Sequence, residues 1–248
     1  NASGAINITN TTYKNQDSNY KFKDFEIVSS FEKAERTISI NSPDIINGKI
    51  TGQFKTNDIL KLVENSVGSI YTNYVPNEVE GGQYLDFRFN IYSKIAAVFF
   101  KDLTLGKNTF IEGRIETDEK GFELRFNSPE IKFKEYFADN INVNINNRNP
   151  LFNTFIEVDS LDAGIYKASQ FSLINVTKRD TLLIKSEFKG GKNTKDAFDL
   201  NLYYTIDEDN KSVVGIKKSK ANFKNTPWLI NALQNKQNKI IFDRSFDE

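Results

Sequence analysis

The sequence predicts an all-β protein with an antiparallel, meander-like sheet. Short runs in which apolar and polar residues alternate recur along most of the 248 residues, and a period of two is typical of strands with one apolar face. Only the segment 57–71 repeats its apolar residues at helical spacing, and strands do not alternate with helices as they do in parallel α/β folds. Only 38% of the residues are hydrophobic, but they include 21 Phe and 10 Tyr, so the inward side chains of the sheet are expected to be few and large.

The N-terminal part is predicted to hold three strands after an irregular start. Residues 1–19 are polar and show no periodicity. A strand is expected over 20–31, with a bulge that shifts its register, and two more strands are expected over 36–40 and 45–54.

The segment 57–71 is predicted to be the one amphipathic helix of the fold. Thr56 or Asn57 can cap its N-terminus, and its other face carries charged and amide side chains. We expect this helix to dock on the sheet, because lysine is too sparse on its polar face for binding at a membrane surface. The stripe at helical spacing consists of Ile59, Leu62, Val63, Ser66, Val67 and Ile70.

The rest of the chain is predicted to be a ladder of strands. Residues 94–100 are compatible with a short buried helix or a strand, because periodicity does not distinguish the two at this length. The clearest alternation lies between 180 and 219, where three strands are separated by Gly190 and Gly191 and by a turn at 207–210. The strands expected from residue 84 onwards cover 84–92, 109–116, 122–127, 130–134, 139–147, 154–161, 164–175, 181–188, 197–206, 211–217, 221–223, 228–233 and 239–243.

Composition excludes several functional classes. The 33 basic and 33 acidic residues balance and form no block of one sign, so there is no electrostatic reason to expect nucleic-acid binding. The chain contains no His or Cys, which excludes histidine- and cysteine-based catalysis and the usual zinc sites. The acidic residues lie mostly on the polar parity of each strand, as solvated residues do, which argues against a carboxylate-pair hydrolase. We therefore predict no enzyme, no catalytic residues, no metal and no cofactor.

Two glycine- and aspartate-rich segments resemble ligand loops but do not fit them. Gly190-Gly191-Lys192 lacks the upstream glycine of a phosphate-binding loop. The acidic turn at 207–209 begins like a calcium loop, but Lys218 takes the place of the bidentate carboxylate. Both are interpreted as connections between strands.

The chain is expected to be an internal fragment of a longer protein. It begins at Asn1 without a methionine, and its first residues have the composition of an interior loop. It shows no signal peptide and no apolar run of membrane-spanning length, so any membrane anchor is expected to lie outside this sequence.

The candidate site is the apolar parity of four strands, each of which contributes three alternating apolar residues. Two architectures explain such faces. In a closed sandwich a second sheet covers them, whereas in one long curved sheet they line a groove for acyl chains, which offer nothing to hydrogen-bond. The candidate residues are Phe87, Phe89, Ile91, Phe122, Leu124, Phe126, Ile141, Val143, Ile145, Phe198, Leu200 and Leu202.

Several segments resemble the TamB proteins of Bacteroidota-type bacteria, which belong to the AsmA-like envelope protein family. The resemblance covers about residues 20–243. The most specific motifs are LFNTFIEVDS (151–160), FSLINVTKRDTLLIKSEFKGG (171–191) and DAFDLNLYYTIDEDNKSVVGIKKS (196–219), and the supporting ones are SPDIINGKITGQF (42–54), YLDFRFNIYS (84–93) and ANFKNTPW (221–228).

The resemblance implies both a fold and a function. The fold is a taco-like half-pipe, a long, curved and twisted sheet that encloses a hydrophobic groove, with residues 20–248 as a single domain of this kind. The implied protein is anchored in the inner membrane, reaches across the periplasm and carries phospholipid toward the outer membrane. Its implied partners are phospholipid acyl chains, an outer-membrane insertase barrel and outer-membrane β-barrel proteins.

We therefore expect a non-enzymatic lipid-conduit segment. One alternative is a chaperone-like module that binds nascent outer-membrane β-barrel strands by β-augmentation. Another is a closed β-sandwich that acts as a spacer or binds sugar.

Overall fold

Most strands of the protein belong to one open antiparallel sheet. The computed structural model describes residues 3–14, 18–70, 74–118 and 121–242. Within this part of the chain, seventeen strands form a single curved sheet that does not close on itself, and two short strands form a separate hairpin. The all-β fold predicted from the sequence is therefore confirmed. In chain order the strands are β1 (Gly4–Ile8), β2 (Thr12–Lys14), β3 (Asn19–Lys21), β4 (Phe25–Glu32), β5 (Glu35–Asn41), β6 (Ile46–Gln53), β7 (Tyr84–Ile91), β8 (Leu103–Leu105), β9 (Phe110–Glu116), β10 (Phe122–Phe133), β11 (Tyr136–Asn146), β12 (Thr154–Asp162), β13 (Lys167–Lys178), β14 (Thr181–Gly190), β15 (Asp196–Ile206), β16 (Ser212–Ile216), β17 (Ser219–Phe223), β18 (Thr226–Ile230) and β19 (Lys239–Phe242).

The sheet is a meander in which strands that follow one another in the chain are usually neighbours. Across the sheet the order is β1, β4, β5, β6, β7, β9, β10, β11, β12, β13, β14 and β15, and every pairing is antiparallel. β8 extends β9 along the same edge of β10. Beyond β15 the sheet divides, because β15 pairs with β16 toward one end and with β17 toward the other, and β19 and β18 then follow.

The two connections that the sequence singles out form as predicted. Between β15 and β16 the Asp207 carboxylate accepts hydrogen bonds from the backbone N–H groups of Asp209 at 3.1 Å and Lys211 at 2.8 Å. Asn210 has a φ of 60°, a left-handed conformation that asparagine adopts more readily than most residues. Between β14 and β15 the φ of Gly191 is 72°, which glycine permits without a steric cost.

Two α-helices lie in the described part of the chain, where the sequence predicts one. α1 covers Ile59–Gly68 and follows a 3₁₀ turn at Thr56–Asp58, and α2 covers Ser93–Phe99. The segment 94–100, for which the sequence left helix and strand open, is therefore mostly helical. Residue 71, at the end of the predicted helix, lies outside the described residues.

α1 is an insertion within a hairpin. β6 and β7 pair directly, with Gln53 opposite Tyr84, so the intervening residues leave the sheet and return to the same point. The N-cap residue is Asp58, and its side chain makes no capping hydrogen bond, so the cap predicted upstream is wrong. Its carboxylate instead accepts a hydrogen bond from Gln83 Nε2 at 3.0 Å, which ties the start of the helix to the start of β7.

The N-terminal segment differs most from the prediction. The sequence predicts residues 1–19 to be irregular, but β1 pairs with β4 and β2 pairs with β3. The strand predicted over 20–31 is divided between β3 and β4, which belong to different sheets. The change of parity in the sequence thus marks a break between two strands and not a bulge.

One predicted break in the ladder is also wrong. The strands expected over 122–127 and 130–134 are a single strand, β10, which passes through Pro129 without a change of register against β11. The last predicted strand ends at Phe242, and its expected final residue, 243, lies outside the described residues.

Buried apolar side chains concentrate where α1 meets the sheet. Leu62 and Ile70 pack with Leu85, Ile115 and Phe122, and each of the five is less than a tenth exposed. Away from this cluster the sheet is open. The chain exposes 16153 Å² of surface, whereas a compact monomer of its mass exposes about 11,000 Å².

Candidate functional site

The candidate site is one face of the sheet, on which the predicted residues lie. In β7, β9 and β10, Phe87 is opposite Gly113, which is opposite Leu124, and Leu124 is in turn opposite Ile145 of β11. Residues directly opposite one another in a sheet point to the same side. The nine candidates of β7, β10 and β11 therefore share one side of the sheet.

The same side continues to the three candidates of β15. Ile145 is opposite Thr154, and the register passes from there through Asn175 and Ile184 to Leu202. All twelve predicted residues thus lie on one continuous face. Their contact with acyl chains stays a prediction.

We call this surface the apolar face, and it spans nine neighbouring strands, β6, β7 and β9 to β15. None of the residues given below is charged, but toward one end of the strands the same parity continues to charged residues, which are Glu130, Lys132, Asp139, Asp162, Lys167 and Asp196. Its members are Ile46, Gly48, Ile50, Gly52, Leu85, Phe87, Phe89, Ile91, Ile111, Gly113, Ile115, Phe122, Leu124, Phe126, Ser128, Ile141, Val143, Ile145, Thr154, Ile156, Val158, Phe171, Leu173, Asn175, Thr177, Leu182, Ile184, Ser186, Phe188, Phe198, Leu200, Leu202 and Tyr204.

The sequence analysis did not identify the residues that connect the candidates of β7, β10 and β11 to those of β15. Ile156, Leu173 and Ile184 lie on the apolar face between β11 and β15. In β13 the residues of the opposite parity, Ile174 and Val176, are also apolar. Alternation alone therefore does not show which of the two sets of side chains lies on the apolar face. Only the pairing of β13 with its neighbours assigns the face.

Most of the apolar face is only half-buried. Of the twelve predicted residues, Phe89, Phe122 and Ile141 are buried, and the other nine retain partial exposure. Ring contacts on the face also join neighbouring strands, as in the stacked pair Phe188 and Phe198, whose centroids are 4.5 Å apart. The closed sandwich that the sequence left open is not formed, because these strands belong to a single open sheet.

α1 covers the apolar face at one end. Besides the cluster around Leu62, the two residues that follow α1 make polar contacts further along the sheet. Ser69 Oγ accepts a hydrogen bond from Asn147 Nδ2 at 3.2 Å, and the Ile70 carbonyl accepts one from Thr177 Oγ1 at 3.1 Å. α1 and these two residues therefore extend across the ends of the strands from β7 to β13.

A few polar side chains lie among the apolar ones. Thr109 Oγ1 and Ser128 Oγ are 2.7 Å apart, and both side chains are fully buried, so they satisfy each other. Asn175 is 8% exposed, and its Oδ1 accepts no hydrogen bond from the described residues. This oxygen costs free energy unless water or a polar ligand group reaches it, because an acyl chain has no donor.

The opposite face carries the charges of the same strands. Arg114 Nη1 lies 2.6 Å from Asp86 Oδ2, and Arg88 Nη1 lies 2.6 Å from Glu112 Oε2. Hydrogen bonds from Arg114 and then from Arg148 lower the pKa of Glu116 below its ordinary value. Charge is thus separated between the two sides of the sheet in β7, in β9 and in residues 122–128 of β10.

A buried carboxylate lies at the end of β15, beyond the apolar face. Asp196 accepts hydrogen bonds from the Tyr166 hydroxyl at 3.0 Å and from the Lys224 backbone N–H at 2.8 Å. Burial, and next the hydrogen bond to Asp196, raise the pKa of Tyr166 to about 12. These contacts join three connections of the chain, which indicates a structural role.

Two cavities lie near the ends of the sheet. One of about 750 Å³ lies between α1 and residues 74–81 and reaches Leu62 and Ile115. The other, of about 650 Å³, is lined by β13, β14, β15, β17 and β18 and includes Trp228. Within the described ranges no group of three or more acidic side chains is arranged to hold a metal ion.

The comparisons leave the chain without an assigned family. No protein-family model, curated protein or solved structure matches it. None of the helices in the described part of the chain is long and apolar enough to span a membrane.

Proposed function

We propose that the chain is a non-enzymatic segment of a hydrophobic conduit, in which phospholipid acyl chains lie along the apolar face. The observation that carries the proposal is the continuity of this face. Nine neighbouring strands present it, and charged residues of the same parity occur only toward one end of these strands, where Glu130 is opposite Asp139. Most of the predicted residues on the face are nevertheless only half-buried.

An apolar surface of this extent needs a cover. Apolar area left in water costs about 25 cal/mol per Å², and monomeric proteins rarely leave a large contiguous apolar patch uncovered. Acyl chains provide a suitable cover because they need no hydrogen bonds and adapt to an uneven surface. A chain that slides along the face is expected to bind weakly at each position.

The wider setting of the proposal comes from the resemblance to TamB proteins. In that setting the segment lies in the periplasm, within a protein anchored in the inner membrane. It carries phospholipid between the inner and outer membranes and is linked to outer-membrane protein assembly through an insertase barrel. This part of the proposal depends on the sequence motifs alone.

Photo-crosslinking in cells tests the proposal. A photoreactive residue replaces Leu124 or Leu202 on the apolar face, or their neighbours Arg125 and Asn201, which point to the opposite side. We expect phospholipid adducts at Leu124 and Leu202, and about tenfold fewer at the two control positions. Native mass spectrometry of the purified chain provides a second readout of bound lipid. Equal labelling of the two faces, or no lipid at any of the four positions, would contradict the conduit.

A chaperone-like function is the second candidate, and the exposed edge strands favour it. Ile6 in β1 is 59% exposed and Ile240 in β19 is 70% exposed. Among the described residues β1 pairs only with β4, and β19 pairs only with β16, so each has a backbone edge open to another strand. In the crosslinking experiment this function predicts adducts with β-barrel peptides instead of lipid.

A further inference from the structure

The cavity between α1 and residues 74–81 is a second place where a ligand can bind. Its volume of about 750 Å³ lies within the range of small-molecule sites, which is about 300 to 1,000 Å³. α1, the segment 74–81 and the end of β9 all contribute lining residues, and the cavity adjoins the apolar face at Ile115. We call this space the α1 cavity.

Hydrogen bonds hold α1 and the segment 74–81 in place on the two sides of the cavity. Asn65 Nδ2 donates to the Asn77 carbonyl at 2.9 Å, and the Asn77 backbone N–H donates to Asn65 Oδ1 at 2.7 Å. The Tyr74 hydroxyl donates to the same Oδ1 at 3.1 Å. A Cβ atom on Gly68 would lie 2.4 Å from the Tyr74 ring, so this ring lies against the helix backbone. The cavity is therefore formed by the fold itself, as most small-molecule sites are.

The other polar side chains of the lining are also hydrogen-bonded within the protein. Ser66 Oγ donates to the backbone carbonyl four residues earlier at 2.7 Å, and Ser69 Oγ donates to the carbonyl three residues earlier at 2.6 Å. Thr117 Oγ1 donates to the Gln83 carbonyl at 3.1 Å. A ligand therefore does not need to supply hydrogen bonds to these groups, and a hydrocarbon leaves none of them unpaired.

Apolar side chains provide the rest of the contact surface. Leu62 and Ile115 are buried, and Val79 packs against the same cluster from the segment 74–81. Among the described lining residues Glu78 is the only charged one, and it is exposed. Its negative charge opposes a ligand with an anionic group.

We infer that the α1 cavity binds a small uncharged hydrocarbon ligand, of the class of the alkyl alcohols. Such a ligand gains the burial of its chain against Leu62, Val79 and Ile115. A strongly polar ligand would lose hydrogen bonds to water in a cavity whose polar side chains already have partners. The inference does not depend on the lipid conduit, because it requires no continuous face.

Protection of an introduced cysteine tests the inference. The chain contains no Cys, so Val79→Cys places a single thiol in the lining. Its rate of modification by N-ethylmaleimide is measured by mass spectrometry with and without 1-octanol. We expect the rate to fall about tenfold when 1-octanol occupies about nine-tenths of the cavities. Val75→Cys is the matched control, since Val75 is 86% exposed on the same segment and lies outside the lining, and its rate is expected to stay the same.

A second variant fills the cavity from the side of α1. In the Val79→Cys chain, Ser66→Phe is expected to reduce the protection by 1-octanol to less than about twofold, because the new ring occupies the space. Val67→Phe, on the exposed side of the same helix, is its control and should keep the tenfold protection. Octanoate is expected to protect Val79→Cys several-fold less than 1-octanol, because of its charge.

Several results would overturn the inference. These are no protection of Val79→Cys, equal protection of the two cysteines, protection that survives in a folded Ser66→Phe chain, or equal protection by octanoate. Circular dichroism reports whether each variant is folded, and the comparison of Val79→Cys with Val75→Cys decides the matter even if Ser66→Phe does not fold. Protection by 1-octanol without phospholipid adducts at Leu124 and Leu202 would support the cavity while contradicting the conduit.

Discussion

Individual glycines on the apolar face make room for the phenylalanine rings of β7. A Cβ atom on Gly113 would lie 2.8 Å from Phe87 Cζ and 2.2 Å from the Glu123 carbonyl oxygen. A Cβ on Gly48 would lie 2.7 Å from Phe89 Cδ1. Each ring therefore extends over the backbone of the adjacent strand, which is a common reason for glycine within a strand. Each glycine thus lets a phenylalanine ring lie on the apolar face, and no polar side chain is added there.

A prediction at this scale concerns the ion-pair network of Glu116. Arg114 Nε and Arg148 Nη2 each lie 2.5 Å from its carboxylate, and all three side chains are partly exposed. The pKa of Glu116 is lower in the folded state, so the pairs stabilise the fold at neutral pH and this contribution is lost as the pH falls through the lowered pKa. We expect Glu116→Gln to reduce the free energy of unfolding by about 1 kcal/mol at neutral pH and by much less in acid, measured by urea unfolding.

Glu157 provides the control for this prediction. It is exposed on the same polar side of the sheet, in β12, and Glu157→Gln is expected to change the free energy of unfolding by less than about 0.5 kcal/mol at either pH. A loss for Glu116→Gln that is the same at neutral and acid pH would show that the ion pairs are not its cause.

The sequence predicts residue positions well where polar and apolar residues alternate strictly. In β7 and in residues 122–127 of β10 every second residue is polar, so the inward positions of Phe87 and Leu124 follow from the period of two. In β13 both parities are apolar, and the position of Leu173 becomes clear only from its pairing with Ile156 and Ser186. Pairing is a long-range property, and a single strand does not encode it.

At the scale of elements, α1 is distinctive because it is apolar on two adjacent sides. Leu62 and Ile70 face the sheet, whereas Leu60, Val63 and Val67 are between 41% and 68% exposed. The helical spacing in the sequence predicts the helix and its contact with the sheet. It does not show that the helix covers only one end of the apolar face, because that position is set by the contacts with Asn147 and Thr177 far along the chain.

Removal of the α1 insertion is a prediction at this scale. Because Gln53 is opposite Tyr84, an Asn-Gly turn can replace residues 54–83 and keep β6 paired with β7. We expect the strand signal in circular dichroism to persist. The free energy of unfolding is expected to fall by about 3 to 6 kcal/mol, because Leu62 and Ile70 no longer bury their side chains.

The same variant also reports on the apolar face. If acyl chains bind there, the shortened chain retains at least as much phospholipid in native mass spectrometry as the intact chain, because the covered end becomes accessible. Loss of all strand signal would contradict the description of α1 as a separate insertion and would show that the sheet requires it.

At the scale of the whole molecule, the open sheet explains both the large exposed surface and the exposed edges. A meander of neighbouring hairpins needs no second layer to complete its hydrogen bonds, so the backbone is satisfied even though one face is uncovered. The all-β class followed from local alternation, but the absence of a large second sheet among the described residues did not. Strands of a sandwich and of a half-pipe show the same alternation of apolar residues. Only the pairing of the strands with one another distinguishes the two folds.

The edges lead to the last prediction, which concerns self-association. β1 and β19 each have one unpaired side within the described chain, and open edges promote pairing between molecules. We expect the purified chain to associate as its concentration rises, measured by analytical ultracentrifugation. Ile6→Lys or Ile240→Lys is expected to weaken association about five- to tenfold, since a charged side chain on an edge strand opposes pairing.

Leu233→Lys, in the connection between β18 and β19 where the side chain is 94% exposed, is the control and should leave association unchanged. A monomer at every concentration, or an equal effect of all three substitutions, would mean that the edge strands do not pair between molecules in solution. Either result would also weaken the β-augmentation alternative.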